Sequence, residues 1–187
     1  RESSQTGGIV LWTKAQSGKA ILPWIGSDST PSWINSERVW VLVDDKTSRL
    51  ACCGIYLRVE SPKSSDFFKS NQQLLENLEI EKAELESKGY AVVLLGDFNA
   101  RIEPGPNFAF TEYPHEPNNN GKLLVEFASR NQLYCLNPMS WRGVQEEVFT
   151  YHRDMGTQLH RSIIDYGLAS QSAIMKTSSF SIQDGLE

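Results

Sequence analysis

The sequence predicts an α/β (α+β) domain: two sheets of mixed and mostly antiparallel strands packed as a sandwich, with helices as outer layers. Three observations predict it. The run Ala91-Val92-Val93-Leu94-Leu95 is short, β-branched in its middle and without a polar face, the pattern of a strand buried on both sides. Apolar runs at residues 38–44 and 50–59 are separated by Asp44-Asp45-Lys46-Thr47-Ser48, the composition of an antiparallel hairpin with its turn. Between those strands and the buried run lies a long amphipathic segment at residues 64–88.

In chain order, residues 8–13 read as a strand, and residues 17–35, with Gly, Pro, Ser and two tryptophans, as an irregular loop. In the segment 64–88, Ser64, Ser65 and Asp66 offer N-caps and Gly89 the stop. Phe67, Leu74, Leu75, Leu78, Ile80 and Leu85 form its apolar stripe, and Gln72, Glu76, Glu79, Glu81 and Glu84 its solvated face. Residues 101–118 hold four prolines and read as a long loop, a kind of segment that often carries function. A second helix follows at residues 121–131, capped by Asn119 or Asn120. Strands are expected at residues 133–136, 148–151 and 162–169.

The bulk numbers set limits. At 187 residues, 40% hydrophobic and 22% charged, the chain suits one domain with a substantial core, spanning residues 1–187. Its net charge of −5 gives no general electrostatic attraction for nucleic acid, although a local basic patch is compatible with it. Cys52, Cys53 and Cys135 are odd in number, and two are adjacent in an expected strand, where neighbours face opposite sides. Free thiols in a reducing compartment, nuclear or cytoplasmic, fit this better than a disulfide framework. No Cys/His spacing suits zinc, no apolar run approaches the length of a membrane span, and no obligate protein partner is readable.

The chemistry concentrates where the buried run ends, at Gly96-Asp97-Phe98-Asn99. Ligand sites in open sheets are commonly built at strand ends. If the backbone stays extended, Asp97 and Asn99 share one side and Phe98 anchors the other in the core. A carboxylate and a carboxamide held so can orient a water or a phosphate oxygen; the alternative is an Asx turn.

Gly-Asp-Phe-Asn at a strand end resembles the signature of the endonuclease/exonuclease/phosphatase superfamily, and other segments follow in the family's order. Thr6-Gly7-Gly8-Ile9-Val10-Leu11-Trp12 is similar to its Gly-Gly strand, and Cys53-Gly54-Ile55-Tyr56 to the strand ending in the active-site tyrosine. Asn119-Asn120-Gly121-Lys122-Leu123-Leu124-Val125-Glu126-Phe127 resembles the helix start after the signature loop. Leu133-Tyr134-Cys135-Leu136-Asn137, Phe149-Thr150-Tyr151 and Arg161-Ser162-Ile163-Ile164-Asp165-Tyr166 resemble the strands that close the domain. The likeness is nearest in flavour to endonuclease domains of non-LTR retrotransposons.

The resemblance implies a four-layered αββα sandwich and Mg²⁺- or Mn²⁺-dependent cleavage of a phosphodiester, with DNA as the partner and substrate. It makes Asp97 the general base and a metal contact, and gives Asn99 the fixing of the phosphate or the base. It assigns Tyr56 a phenol donated to a phosphate oxygen, and Asp165 a supporting carboxylate with Ser162 beside it. Arg101 and Arg142 lie in loops that could touch phosphates, and His160 precedes Ser162. Two departures stand out. Glu2 is too close to Gly7 for the family's metal-binding Glu, and no Asp-His pair matches its closing motif. The family's phosphate-contacting Asn after the tyrosine is also missing, since Leu57-Arg58-Val59 follows Tyr56. The expectation is a domain incomplete at both termini that hydrolyses weakly or not at all alone. Two rivals keep the fold: a phosphatase or phosphodiesterase for a small or lipid phosphoester, and a catalytically dead interaction module.

Overall fold

The structure is a computed structural model that describes residues 20–24, 34, 37–44, 48–59, 66–103, 106–108, 116–137, 150–154 and 159–177. The strand expected at residues 8–13 lies outside them. Eight strands and three helices are present among the described residues: β1 (Ala20–Trp24), β2 (Arg38–Asp44), β3 (Arg49–Tyr56), α1 (Asp66–Ser87), β4 (Ala91–Asp97), α2 (Asn119–Arg130), β5 (Leu133–Cys135), β6 (Tyr151–Asp154), β7 (Leu159–Ser162), β8 (Asp165–Ser170) and α3 (Gln171–Ile174).

The expected hairpin forms as β2 and β3, in a register that sets Trp40 opposite Cys53 and Leu42 opposite Ala51. The chain then crosses through α1 and returns as β4, parallel to β3. Such a parallel pair needs a crossover connection, which α1 supplies. β8 pairs antiparallel on the other side of β4, and β5 pairs antiparallel with β8. The result is a six-stranded mixed sheet in the order β1-β2-β3-β4-β8-β5, beside a two-stranded β6-β7 ribbon. β4, the buried run that organised the sequence reading, lies inside the sheet between β3 and β8.

One sheet face carries the main core. Trp40, Cys53, Ile55, Leu94, Tyr166 and Leu168 meet Leu74, Leu75, Leu78 and Leu85 of α1 and Leu124 and Phe127 of α2. The opposite face holds a smaller cluster of Ala91, Leu136, Ala169 and Ala173. Phe98 is fully buried just beyond β4, as expected of an anchor, and packs edge-on against Tyr166, which packs edge-on against Phe108. No helix among the described residues is long and apolar enough to cross a membrane.

Four expectations need correction. The segment 17–35 is not all loop, because Ala20–Trp24 forms the edge strand β1 against β2. An edge position tolerates Pro23, which lacks a ladder N–H. The single strand expected at residues 162–169 is two, broken at Ile163 and Ile164, whose backbone bonds elsewhere: Ile164 N donates to Thr150 Oγ1 and Ile164 O accepts from Phe98 N. Ile80 is 64% exposed and leaves the apolar stripe, while Glu81 is 2% exposed and leaves the solvated face. Glu81 pairs with buried Arg38 of β2 and accepts from Trp40 Nε1 at 2.8 Å, fastening α1 to the sheet. Finally, α2 is capped by Asn118, not Asn119 or Asn120: its Oδ1 accepts from Gly121 N at 2.8 Å.

Candidate functional site

The strand registers bring three of the singled-out residues into one row. Tyr56 at the end of β3 is opposite Asp97 at the end of β4, and Asp97 is opposite Asp165 at the start of β8. Paired residues on neighbouring strands point to the same face, with strands about 5 Å apart. A phenol and two carboxylates therefore stand side by side at one end of the sheet. The phenol is accessible, Tyr56 being 38% exposed.

Both acids are shifted upward, chiefly by burial. Burial pushes the Asp97 carboxyl up, the Asn99 backbone N–H pulls it down and the Asp165 charge raises it again, leaving it at about 6. Burial raises Asp165 too, against a hydrogen bond from the Thr150 side chain. The Thr150 hydroxyl oxygen also accepts from Ile164 N and Asp165 N, at 3.0 and 3.1 Å, so one side chain sets the start of β8. Asn137 fixes the far side, donating to Asp165 O at 2.8 Å and accepting from Gly167 N at 2.9 Å.

Glycine makes the close approach possible. A Cβ on Gly96 would lie 1.9 Å from Ile55 O, and Gly96 has φ +152°, a conformation side chains resist. Beyond Asp97 the backbone does not stay extended. Asn99 has φ +44°, a left-handed conformation that Asn tolerates better than most residues. The expected sharing of a side by Asp97 and Asn99 in an extended strand is therefore replaced by a turn. Asn99 N donates to Asp97 Oδ1 at 2.8 Å, the Asx turn held as the alternative, and Asn99 Nδ2 donates across to Leu57 O at 2.7 Å.

A set of asparagines holds this end of the sheet. Asn118 Nδ2 donates to Asn99 O at 2.9 Å, and its Oδ1 accepts from Arg101 N at 2.8 Å while capping α2. Buried Asn120 donates to Arg58 O at 3.0 Å and more weakly to Phe98 O and Asn99 O, and accepts from Asn71 of α1 at 2.9 Å. The signal available was Asn118-Asn119-Asn120 before Gly121; Asn71, a polar residue inside a helix, offered none. Gly121 is needed here as well, since a Cβ on it would lie 1.8 Å from Arg101 O.

The other singled-out residues are more peripheral. Arg101 is exposed, two residues beyond Asn99. Ser162 ends β7 half-buried, and its carbonyl accepts from Thr150 N at 3.1 Å. Arg142 lies outside the described residues, and His160 is placed only as a member of β7. Among the described residues no group of three or more His, Cys, Asp or Glu could hold a metal ion unaided.

Structural comparison shows that this mixed sheet with its helices shares the fold of endonuclease/exonuclease/phosphatase-type proteins. No protein-family model matches the chain, and no curated protein matches it. Among solved structures it is similar to the endonuclease domain of TRAS1, a telomere-specific non-LTR retrotransposon, with TM-score 0.57, 14% identity, and coverage of 84% of this chain and 58% of that one. The APE2 catalytic domain of Xenopus laevis superposes with TM-score 0.53 and 17% identity over 75% of this chain and 48% of its own. The 3′ phosphatase NExo from Neisseria, bound to a product DNA hairpin, gives TM-score 0.53 and 20% identity over 81% and 60%. The chain thus spans roughly half to three-fifths of the length of these structures.

Proposed function

We propose that this chain is one domain of a divalent-metal-dependent phosphodiester hydrolase acting on DNA, built as a four-layered αββα sandwich. The observation that carries the reading is the Tyr56, Asp97 and Asp165 row at the end of three adjacent strands. The fold-mates include a retrotransposon's endonuclease domain and a 3′ phosphatase bound to a DNA product, which supports the substrate class.

The donor set fits Mg²⁺ or Mn²⁺. Two carboxylates whose ionisation burial disfavours gain from a hard cation, and Mg²⁺ commonly takes one or two carboxylates and completes its shell with water and phosphate oxygens. Asp97, with Asp165 beside it, would hold the ion, which when bound stabilises negative charge on the phosphoryl oxygens. Asp97 takes a proton from the attacking water. Asn99 fixes that base through its backbone N–H, and its carboxamide ties the loop to Leu57. The Tyr56 phenol donates to a phosphate oxygen, Asp165 and Ser162 support the row, and Arg101 draws the flanking backbone.

The discriminating experiment sets a DNA duplex against small phosphoesters, an inositol phosphate and a nucleoside monophosphate, in Mg²⁺ and in Mn²⁺. Turnover of DNA with none of the small substrates is expected. Turnover of a small phosphoester alone overturns the substrate assignment, and binding without any turnover converts the domain to an interaction module.

A further inference from the structure

The row of site residues continues one strand further than the catalytic reading uses. Tyr56 N donates to Glu37 O at 2.9 Å, which extends the β2-β3 register by one step and sets Glu37 opposite Tyr56. At about 5 Å per strand, the Glu37 backbone lies about 10 Å from that of Asp97, on the far side of Tyr56. There the Arg58 guanidinium closes on Glu37, with Nε and Nη2 donating to Oε1 at 3.0 and 2.7 Å. The Arg58 side chain remains 35% exposed, against 13% for Glu37.

An ion pair of this exposure contributes little stability by itself, yet Arg58 is held unusually firmly. Its N–H donates to Asn71 Oδ1 at 3.0 Å, and its carbonyl accepts from Asn71 Nδ2 at 2.9 Å and from Asn120 Nδ2 at 3.0 Å. Leu57 before it is buried and donates to Asp97 O at 2.9 Å. The backbone is thus pinned from the Asp97 row to Arg58, and Glu37 orients the guanidinium. Asp97, Asp165 and Glu37 repel a polyanion, and the partly exposed Arg58 guanidinium is a cation placed beside them. Arg presents a planar fork that suits phosphate oxygens and loses less entropy per bond than Lys.

We propose that Arg58, oriented by Glu37, is a substrate-binding residue that takes a non-scissile phosphate of a polynucleotide lying across the row. The inference rests on the phosphodiesterase reading of that row. Its range is set by the strand spacing: the guanidinium serves a neighbouring phosphate, on the Tyr56 side, and not the phosphate at Asp97.

The test is fluorescence anisotropy of a short labelled DNA duplex over a series of salt concentrations with Ca²⁺ present, together with cleavage of the same duplex in Mg²⁺. Loss of one phosphate contact lowers the slope of log K against log salt by about 0.9. Arg58→Ala is expected to show that drop, and Arg58→Lys to keep the wild-type slope. Glu37→Gln, which retains an acceptor for the guanidinium and removes a negative charge, is expected to bind several-fold tighter. An unchanged slope in Arg58→Ala, with DNA still cleaved by wild type, overturns the inference and leaves the function standing. A wild-type chain that neither binds nor cleaves DNA overturns both. If Arg58→Ala does not fold, Arg58→Gln carries the comparison, and an unchanged affinity in Glu37→Gln contradicts the proposal.

Discussion

Replacing Asp97 with Asn should stabilise the metal-free protein above neutral pH while removing its activity. The carboxyl rises from 3.8 to about 6 on folding, chiefly through burial and in part through the Asp165 charge. Below 3.8 the folded and unfolded chains both hold the proton and nothing is lost. Between 3.8 and 6 the folded state keeps a proton that the unfolded state releases, so stability falls as pH rises. Above 6 the full penalty applies. About two pKa units correspond to about 3 kcal/mol, and half-exposure to solvent reduces this to about 1.5 kcal/mol. Asparagine has no charge to desolvate and keeps the oxygen that accepts from Asn99 N. In EDTA at pH 8 the variant should therefore melt about 3–6 °C above wild type, a typical response for a domain of this size. At pH 4 the two should coincide, and Mg²⁺ at pH 8 should raise the wild-type midpoint alone. The assay is a calorimetric or circular-dichroism melt at both pH values. A variant that melts below wild type at pH 8 would show Asp97 to be a structural hydrogen-bond acceptor, and the reasoning would fail.

Three further substitutions probe the frame around the site. Gly96→Ala puts a Cβ within 1.9 Å of a backbone carbonyl of β3 that no rotamer can relieve; a loss of about 3 kcal/mol or more is expected in urea unfolding, and a loss under 1 kcal/mol would mean that β3 and β4 separate easily. Asn120→Ala leaves Asn71 and the Arg58 and Phe98 carbonyls without this donor and acceptor; it should cost about 2–3 kcal/mol and slow turnover, and wild-type behaviour in both would refute the clamp. Glu81→Ala strips the buried Arg38 of its carboxylate and Trp40 Nε1 of its acceptor; about 3–5 kcal/mol should be lost, with the double change of Arg38 and Glu81 to Met markedly milder, and an equal or larger loss in the double variant would contradict the assignment.

The parts of the fold that were legible in sequence are those set by local pattern. β4 announced itself through five apolar residues ending in glycine, the β2-β3 hairpin through its polar turn, and α1 through its stripe and Gly89. The residues that escaped depend on partners far along the chain. Glu81 reads as one acid among several on a helix, and its buried partners, Arg38 and Trp40, lie forty-three and forty-one positions earlier. β1 was hidden because Pro23 and the surrounding Gly and Ser carry the signature of a loop, and its pairing with β2 is a tertiary fact. At the site, Tyr56, Asp97 and Asp165 were legible singly; their alignment in one row follows from a parallel crossover and an antiparallel return that no local pattern encodes. The turn at Asn99 was hidden for a similar reason. Its φ of +44° is held by Leu57, Asn118 and Asn120, which lie on other elements.

The most direct test of the row as a phosphodiesterase site is nicking of supercoiled plasmid at high protein concentration, in Mg²⁺ and in Mn²⁺, by wild type and Asp97→Ala. Slow nicking by wild type that EDTA and Asp97→Ala both abolish is the predicted result. Metal-dependent nicking that is equal in the two folded proteins would contradict it.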